Sequence, residues 1–294
     1  KMLCEIAGVS RSGYYNWVHS AEKRAEKEAR DRADFERILE AYNFRGYEKG
    51  AQGIHMRLLH ENPPVVMNVK KIRRLMKKYG LVCHIRKANP YRRIAREIKT
   101  NHVAENLVKR EFENHGPRKI LLTDITYIPW KGRFVYLSTI MDAYTKQILS
   151  YVLSESLEVD FVLETVHQMI EKHGVSLTTE TILHSDQGYH YTSCSFIQLI
   201  KDKKLRQSMS RRGNCWDNAP QESFFGRMKD HVGKRIRECM VYQEILEVID
   251  DWMEYYNKDR YQWGLAKLAP DEYYQYITTG KYPIKGRNPP EERE

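Results

Sequence analysis

The chain has 294 residues, enough for one substantial core and smaller modules beside it. Hydrophobic residues make up 41% and charged residues 30%, a water-exposed globular balance, and no apolar run nears the ~20 residues that span a bilayer, which excludes a membrane partner. Five scattered cysteines, never in a C-x-x-C pair, argue against a disulfide framework and a cysteine-rich zinc site. The net charge of +10 is concentrated: residues 64–99 hold twelve Lys or Arg against the single acid Glu97, so the rest of the chain is near neutral. A local positive field of that kind suits a polyanion, whose condensed counterions are released when its phosphates are neutralised.

In chain order, residues 2–17 read as two short helices around Gly8-Val9, a weak helix-turn-helix with Ser10 as cap of the second. Residues 21–42 form a charged helix. Its apolar stripe emerges only at Phe35, Ile38, Leu39 and Tyr42, and its first half is expected to be a solvated connector. Asn68 caps a helix with Val69, Ile72, Met76 and Tyr79 on one face, and Gly80 ends it. Its other faces carry Lys70, Lys71, Arg73, Arg74, Lys77 and Lys78 and no acid, as a helix lying along DNA requires.

From residue 119 the period changes to that of strands. Residues 119–130, 133–142 and 147–154 are rich in Ile, Leu, Val, Tyr and Thr, and their short links imply antiparallel neighbours. An amphipathic helix follows, marked by Val159, Val162, Leu163, Val166, Met169 and Ile170 and ending at Gly174. A strand at 181–185, a helix at 196–200 and a short strand at 205–209 come next, and Asn218-Ala-Pro220 opens another helix. Ile245, Ile249, Trp252, Met253 and Tyr256 trace a last long helix, and residues 283–294 read as a loose polar tail. The order predicts an α/β fold, a mixed five-stranded sheet flanked by helices and preceded by small all-α modules. The expected divisions are 1–41 (helix-turn-helix-like segment and charged helix), 42–105 (basic helical DNA-binding domain), 106–278 (catalytic domain with C-terminal helices) and 279–294 (tail).

Three acids stand out. Asp124 lies inside the apolar strand Ile120-Leu-Leu-Thr-Asp-Ile-Thr-Tyr-Ile128, where a buried carboxylate needs a cation, a proton or hydrogen bonds. Asp186 ends the fourth strand in Leu183-His-Ser-Asp-Gln-Gly188, with Gly188 expected to permit a sharp exit. Glu222 lies in Asn218-Ala-Pro-Gln-Glu-Ser-Phe-Phe225, with 35 residues between it and Asp186. Two acids on strand positions and one on a helix suit hard divalent cations bound through oxygen, Mg²⁺ above all.

Thr123-Asp-Ile-Thr126, His184-Ser-Asp-Gln-Gly188 and Asn218-Ala-Pro-Gln-Glu-Ser-Phe-Phe225 resemble the motifs of OrfB-type transposases of the IS3 insertion-sequence family, within the retroviral-integrase-like superfamily. Tyr255-Tyr-Asn257 through Arg260, Leu268-Ala-Pro270 and residues 7–15 extend the resemblance over nearly the whole chain. It implies an RNase H-like catalytic domain with Asp124, Asp186 and Glu222 as D-D-E catalytic residues and metal ligands. It also implies a homo-oligomer, a dimer or larger, on double-stranded DNA (transposon terminal repeats and target), in the bacterial cytoplasm on the nucleoid. A circular intermediate, made when the first attack falls on the element's other end, belongs to the same implication.

Lys229, seven residues or nearly two turns after Glu222, matches the family's basic residue and is expected to hold a phosphate, with Gly226 between them leaving room for a DNA backbone. Arg227, Arg211 and Arg212 join the six cations of the basic helix as expected DNA contacts. Two Mg²⁺ ions roughly 4 Å apart, with Mn²⁺ as a substitute, activate a water or a 3′-hydroxyl and stabilise the leaving oxygen in such chemistry. No G-x-x-x-x-G-K loop is present, so no ATP is expected. Members of the family also carry an upstream helix-turn-helix and leucine zipper, not visible here, which places part of end recognition outside this chain. A non-catalytic DNA-binding protein, including an inactive transposase relic, is the alternative; it would not need the three acids.

Overall fold

The computed structural model describes residues 4, 6–84, 104, 106–108, 115–210, 218–286 and 288–289. The chain divides into two compact units, Lys1–His84 and Ile85–Glu294.

In the first unit, helix α1 (Arg11–His19) is capped by Ser10, whose Oγ accepts from the Gly13 N–H at 3.0 Å. Helix α1 buries none of its residues, so Tyr14, Trp17 and Val18 stay exposed. Three helices make the core: α2 (Ala21–Asn43), α3 (Ala51–Leu59) and α4 (Val69–Lys78). They enclose Ile38, Ala41, Tyr42, Ile54, Leu58, Met67, Ile72, Leu75 and Met76. Asn68 caps α4 through its side chain, accepting from the Lys70 N–H at 2.8 Å, and Gly80 takes φ +69° just past its end, where a Cβ would be strained.

One expectation for α2 fails. Leu39 is exposed, because Ala41 rather than Leu39 shares the inward stripe with Ile38 and Tyr42. Its first half is solvated as expected, with residues 21–30 almost all exposed; at the midpoint Asp31 is only 4% exposed and receives two hydrogen bonds from Arg74 of α4, at 2.6 and 2.8 Å. From its midpoint on, the helix pairs charge with α4 through Asp31 and Asp34 and buries its apolar stripe beside them.

The second unit is built on a five-stranded sheet in the order β3-β2-β1-β4-β5, made of β1 (Ile120–Trp130), β2 (Arg133–Asp142), β3 (Ile148–Ser154), β4 (Ile182–Ser185) and β5 (Arg206–Met209). The first three are antiparallel through short turns, while β4 runs parallel to β1 and β5 parallel to β4. Thr181 and Leu205 stop just short of their strands. Thr181 Oγ1 donates to the Arg118 carbonyl at 2.9 Å, and the Leu205 N–H closes a turn on the Ile200 carbonyl at 3.0 Å.

Helix α5 (Asp160–His173) and the short helices α6 (Tyr189–Thr192) and α7 (Cys194–Asp202) cover one face of the sheet. There Leu121, Ile140, Leu149, Val162, Val166, Met169, Leu183 and Phe196 form a dry core. Helix α8 (Ala219–Glu238) packs against β1, helix α9 (Tyr242–Lys258) against α8 and β3, and helix α10 (Pro270–Thr279) against α9. Phe224, Phe225, Met228, Val232, Ile245, Ile249, Trp252 and Tyr256 are buried along this layer. The expected mixed sheet flanked by helices is therefore present. Ile284 departs from the loose tail: it is 4% exposed, beside Tyr282, whose hydroxyl donates to the Ala266 carbonyl at 2.8 Å.

Candidate active site

Sheet register brings the two aspartates together. β1 and β4 pair in parallel through Ile120–Ile182, Leu121–Leu183 and Leu122–His184. Asp124 lies two residues beyond Leu122, and Asp186 two beyond His184, immediately after β4 ends at Ser185. The Asp124 Oδ1 accepts from the Ile125 N–H at 2.8 Å and its Oδ2 from the Asn218 amide at 3.1 Å. Burial first, then the Asp186 charge, pushes the Asp124 carboxyl up to about 8; Glu222 adds to the rise, while the Ile125 N–H and Lys229 oppose it.

Asp186 is also raised by burial, against the Gly188 N–H and the nearby His190. Its Oδ1 accepts from that N–H at 2.8 Å. Gly188 does not serve the expected sharp exit, since φ −62° and ψ 154° are open to any residue. A Cβ there would lie 2.9 Å from the Asp186 Oδ1, so any larger residue would push that carboxylate out of its place.

Glu222 sits in the first turn of α8, where the helix dipole favours an anion, and its charge reaches Asp124. Two turns on, Lys229 also acts on Asp124, and burial lowers its ammonium below the usual lysine range. A Cβ on Gly226 between them would meet nothing within 4 Å, so this part of the helix surface is open.

Two amides of α8 belong to the site although no acid or base pattern marks them. Asn218, 5% exposed, reaches Asp124; Gln221, fully buried, donates through Nε2 to the Thr139 hydroxyl and to the Thr139 carbonyl at 3.3 Å. Thr139 is the cross-strand partner of Asp124. The start of α8 is thus tied to both members of one β1–β2 pair, through two residues just ahead of Glu222 in sequence. The only signal in the sequence is a pair of amides in positions that the helix buries. Tyr191 is a further neighbour: its hydroxyl lies 3.5 Å from the Thr123 Oγ1, and burial together with the charges of Asp124 and Asp186 holds its phenol well above the usual range.

In donor type and charge the carboxylates fit a hard divalent cation, because a half-buried Asp124 under the charges of Asp186 and Glu222 is costly without one. In position the set is incomplete. Among the described residues, no group of three or more His, Cys, Asp or Glu side chains is placed to hold a metal ion. Asp124 and Asp186 turn instead to the N–H donors named above.

The expected DNA-binding residues divide. Lys70, Arg73 and Lys77 lie exposed on one stripe of α4 and have no acidic partner among the described residues. The next stripe does not match the expectation of free cations: Lys71 pairs with Asp34, Arg74 with Asp31, and Lys78 with Asp31 at 2.9 Å and Glu28 at 2.5 Å. The acids missing from α4 come from α2. Arg227 is exposed on α8, and Arg211 and Arg212 lie outside the described residues. No helix among the described residues is long and apolar enough to cross a membrane.

Comparison with known proteins agrees with this architecture. The family described as "Integrase core domain" matches residues 114–215, a second family of the same description matches 203–270, and an "HTH-like domain" matches 28–89. InsK of insertion sequence element IS150 from Escherichia coli K12 is 31% identical over 92% of this chain and 92% of its own length. Transposase InsF of insertion sequence IS3A, from the same organism, is 25% identical over 93% of each. Among solved structures, the HTLV-2 integrase catalytic core domain in complex with magnesium is 14% identical, with a TM-score of 0.42 over 54% of this chain and 97% of that one. On the strength of the match to InsK along nearly all of both chains, this chain belongs to the insertion-sequence transposases of the IS3 family, OrfB type.

Proposed function

We propose that the chain cuts DNA at transposon ends and joins the freed 3′-hydroxyl to a second phosphodiester, with Asp124, Asp186 and Glu222 as catalytic residues. The observation that carries this reading is the register that sets Asp124, within β1, and Asp186, just past β4, each two residues beyond the same pair of parallel strands, with the charge of Glu222 bearing on Asp124. These three carboxylates would hold the divalent cations, Mg²⁺ with Mn²⁺ as a substitute. Bound there, such ions make a water or hydroxyl oxygen nucleophilic and neutralise the departing oxygen.

The chain's own residues do the remaining work. In hydrolysis, a water oxygen bonds to phosphorus while the bond to the 3′-oxygen breaks, and that oxygen leaves as the 3′-hydroxyl. In transfer, the 3′-oxygen attacks a target phosphorus, and the target's own 3′-oxygen departs with the proton. One phosphodiester replaces another, so no nucleotide triphosphate is needed. Lys229 holds a phosphate oxygen beside Asp124, Gly226 leaves the backbone room, and Asn218 fixes the plane of the Asp124 carboxylate. DNA is gripped by Lys70, Arg73 and Lys77 of the helix-turn-helix-like unit and by Arg227 of the catalytic unit. The assembly works as an oligomer that brings two ends together in the bacterial cytoplasm.

A DNA-binding chain without chemistry is the second reading, favoured by the incomplete grouping of the acids. One experiment separates the two. Labelled transposon-end DNA is incubated with Mg²⁺ and the wild type, Asp124→Asn, Asp186→Asn or Glu222→Gln. Each variant keeps DNA affinity and loses cleavage by about a thousand-fold or more, the scale of several kcal/mol of lost charge stabilisation. A variant that cuts at the wild-type rate, or a wild type that binds and never cuts, sinks the assignment.

A further inference from the structure

Past Asp124 the hairpin of β1 and β2 carries a cluster of three aromatic rings, of which only Tyr136 packs against the core. Tyr127 is 46% and Phe134 51% exposed, and Tyr136 is half-buried beside them. Tyr127 and Tyr136 are cross-strand partners, with ring centroids 5.3 Å apart at 83°; Tyr127 and Phe134 are 6.2 Å apart at 84°. The edge-to-face packing steadies the cluster while leaving ring faces open.

The position of the cluster says what would cover it. On its β4 side, β1 is paired only through Leu122, so among the described residues no strand pairs that edge from Asp124 onward. Side chains alternate along a strand, which puts Asp124 on the α8 side and Tyr127 on the other, about 10 Å further along at ~3.3 Å per residue. A nucleic-acid strand with a phosphate at the acids would therefore cross the open edge and turn a neighbouring base toward Tyr127. Burial first, then Tyr136, raises the Tyr127 phenol, and the charges of Asp186 and Asp124 add to the rise. Lys131 and Arg133 flank the hairpin tip with positive charge, Arg133 also pairing with Glu155 at 3.0 Å. A polyanion with flat apolar faces matches this surface better than an acidic or purely aliphatic partner.

We infer that Tyr127, Phe134 and Tyr136 form a stacking platform for an unpaired nucleobase one or two nucleotides from the phosphate held at the acids. This rests on the strand-transfer reading for its substrate. The test is a binding experiment, so that it does not depend on cleavage.

Asp186→Asn protein, which is expected not to cut, is titrated with end DNA whose terminal bases are either paired or mismatched, and 5-iodouracil is placed at each of the last positions for photocrosslinking. The mismatched end binds about tenfold tighter, and the crosslink maps to Tyr127 or Phe134. Adding Tyr127→Ala or Phe134→Ala removes the preference with thermal unfolding unchanged, while Tyr127→Phe retains it. Equal affinity for paired and mismatched ends, a crosslink confined to other residues, or a face that instead joins two copies of the chain and is blind to base pairing would each overturn the platform. Failure of the strand-transfer reading would show separately, as a wild type that binds DNA and does not cut.

Discussion

Asp124 and Asp186 stand level on neighbouring parallel strands, each two residues past the Leu122–His184 pair, although 61 residues separate them in the chain. Parallel pairing makes this possible, because the two strands run in one direction and stay in step beyond their last paired residues. Glu222 has no such register to rely on. Its place depends on how the first turn of α8 is docked, and two amides do the docking.

Asn218→Ala and Gln221→Ala therefore lower turnover more than they weaken DNA binding. Each removes a buried hydrogen bond, at about 1–3 kcal/mol of stability. Each also frees the turn carrying Glu222, so kcat falls about tenfold or more while KM for end DNA stays within a factor of about three. Calorimetric titration with Mn²⁺ gives a second readout, in which metal affinity drops in both variants. Unchanged kcat and Mn²⁺ affinity in a folded Asn218→Ala protein would show that the amide only fills space.

Much of this site was legible in the sequence. A carboxylate in the middle of an apolar strand is costly wherever the strand is buried, so Asp124 announced itself, and Asn218-Ala-Pro220 marked the start of the helix carrying Glu222. Asn218 and Gln221 were not legible as site residues, because an amide's role depends on the partner across the fold. Here the partners, Asp124 and Thr139, lie more than 80 positions away. For the same reason α4 looked like a helix of free cations: its acids sit on α2, 43 residues earlier in the case of Asp31 and Arg74. Gly188 was read as a turn former, whereas only coordinates reveal the carboxylate oxygen that a Cβ would strike.

The acidic pairing of α2 with α4 should make the first unit acid-sensitive. Arg74 and then Lys78 bond the Asp31 carboxylate and hold it far below the usual carboxylate range, and Lys78 with Tyr79 lowers Glu28. A carboxylate with a depressed folded pKa stabilises the fold above its unfolded value of ~3.9, and that contribution is lost as pH falls through the folded value. Hydrogen exchange on the full chain should show protection of residues 28–78 falling below about pH 4, while the sheet strands hold. In Asp31→Asn the protection is weaker at neutral pH and changes less with acid. An acid profile identical to that of the wild type would remove Asp31 from the account.

A buried ion pair closes the sheet at the start of β1. The Arg118 guanidinium and backbone N–H both donate to Asp142 Oδ2, at 2.8 and 3.0 Å, and the guanidinium also reaches Gln147 and lies 4.2 Å from the centre of the Tyr274 ring. Removing one partner strands the other charge in the interior. Asp142→Ala should cost about 3–5 kcal/mol in urea unfolding. Arg118→Lys should recover only part of the equivalent loss, since lysine has no planar fork for two acceptors. A cost under about 1 kcal/mol for Asp142→Ala would mean that water reaches the pair.

The two stripes of α4 offer the sharpest separation of binding from folding. Lys70, Arg73 and Lys77 face solvent with no acidic partner among the described residues, whereas Lys71, Arg74 and Lys78 are committed to Asp34, Asp31 and Glu28. Each phosphate contact contributes ~0.9 to the slope of log affinity against log salt. Changing Lys70, Arg73 and Lys77 together to Gln should flatten that slope by about 2 to 3 and leave thermal unfolding where it was. Changing Lys71, Arg74 and Lys78 to Gln should lower the unfolding temperature of the first unit and move the slope by less than about 1. If both triple variants flatten the slope equally, DNA draws Arg74 and Lys78 away from their acids, and the pairing on α2 is a resting arrangement that binding undoes.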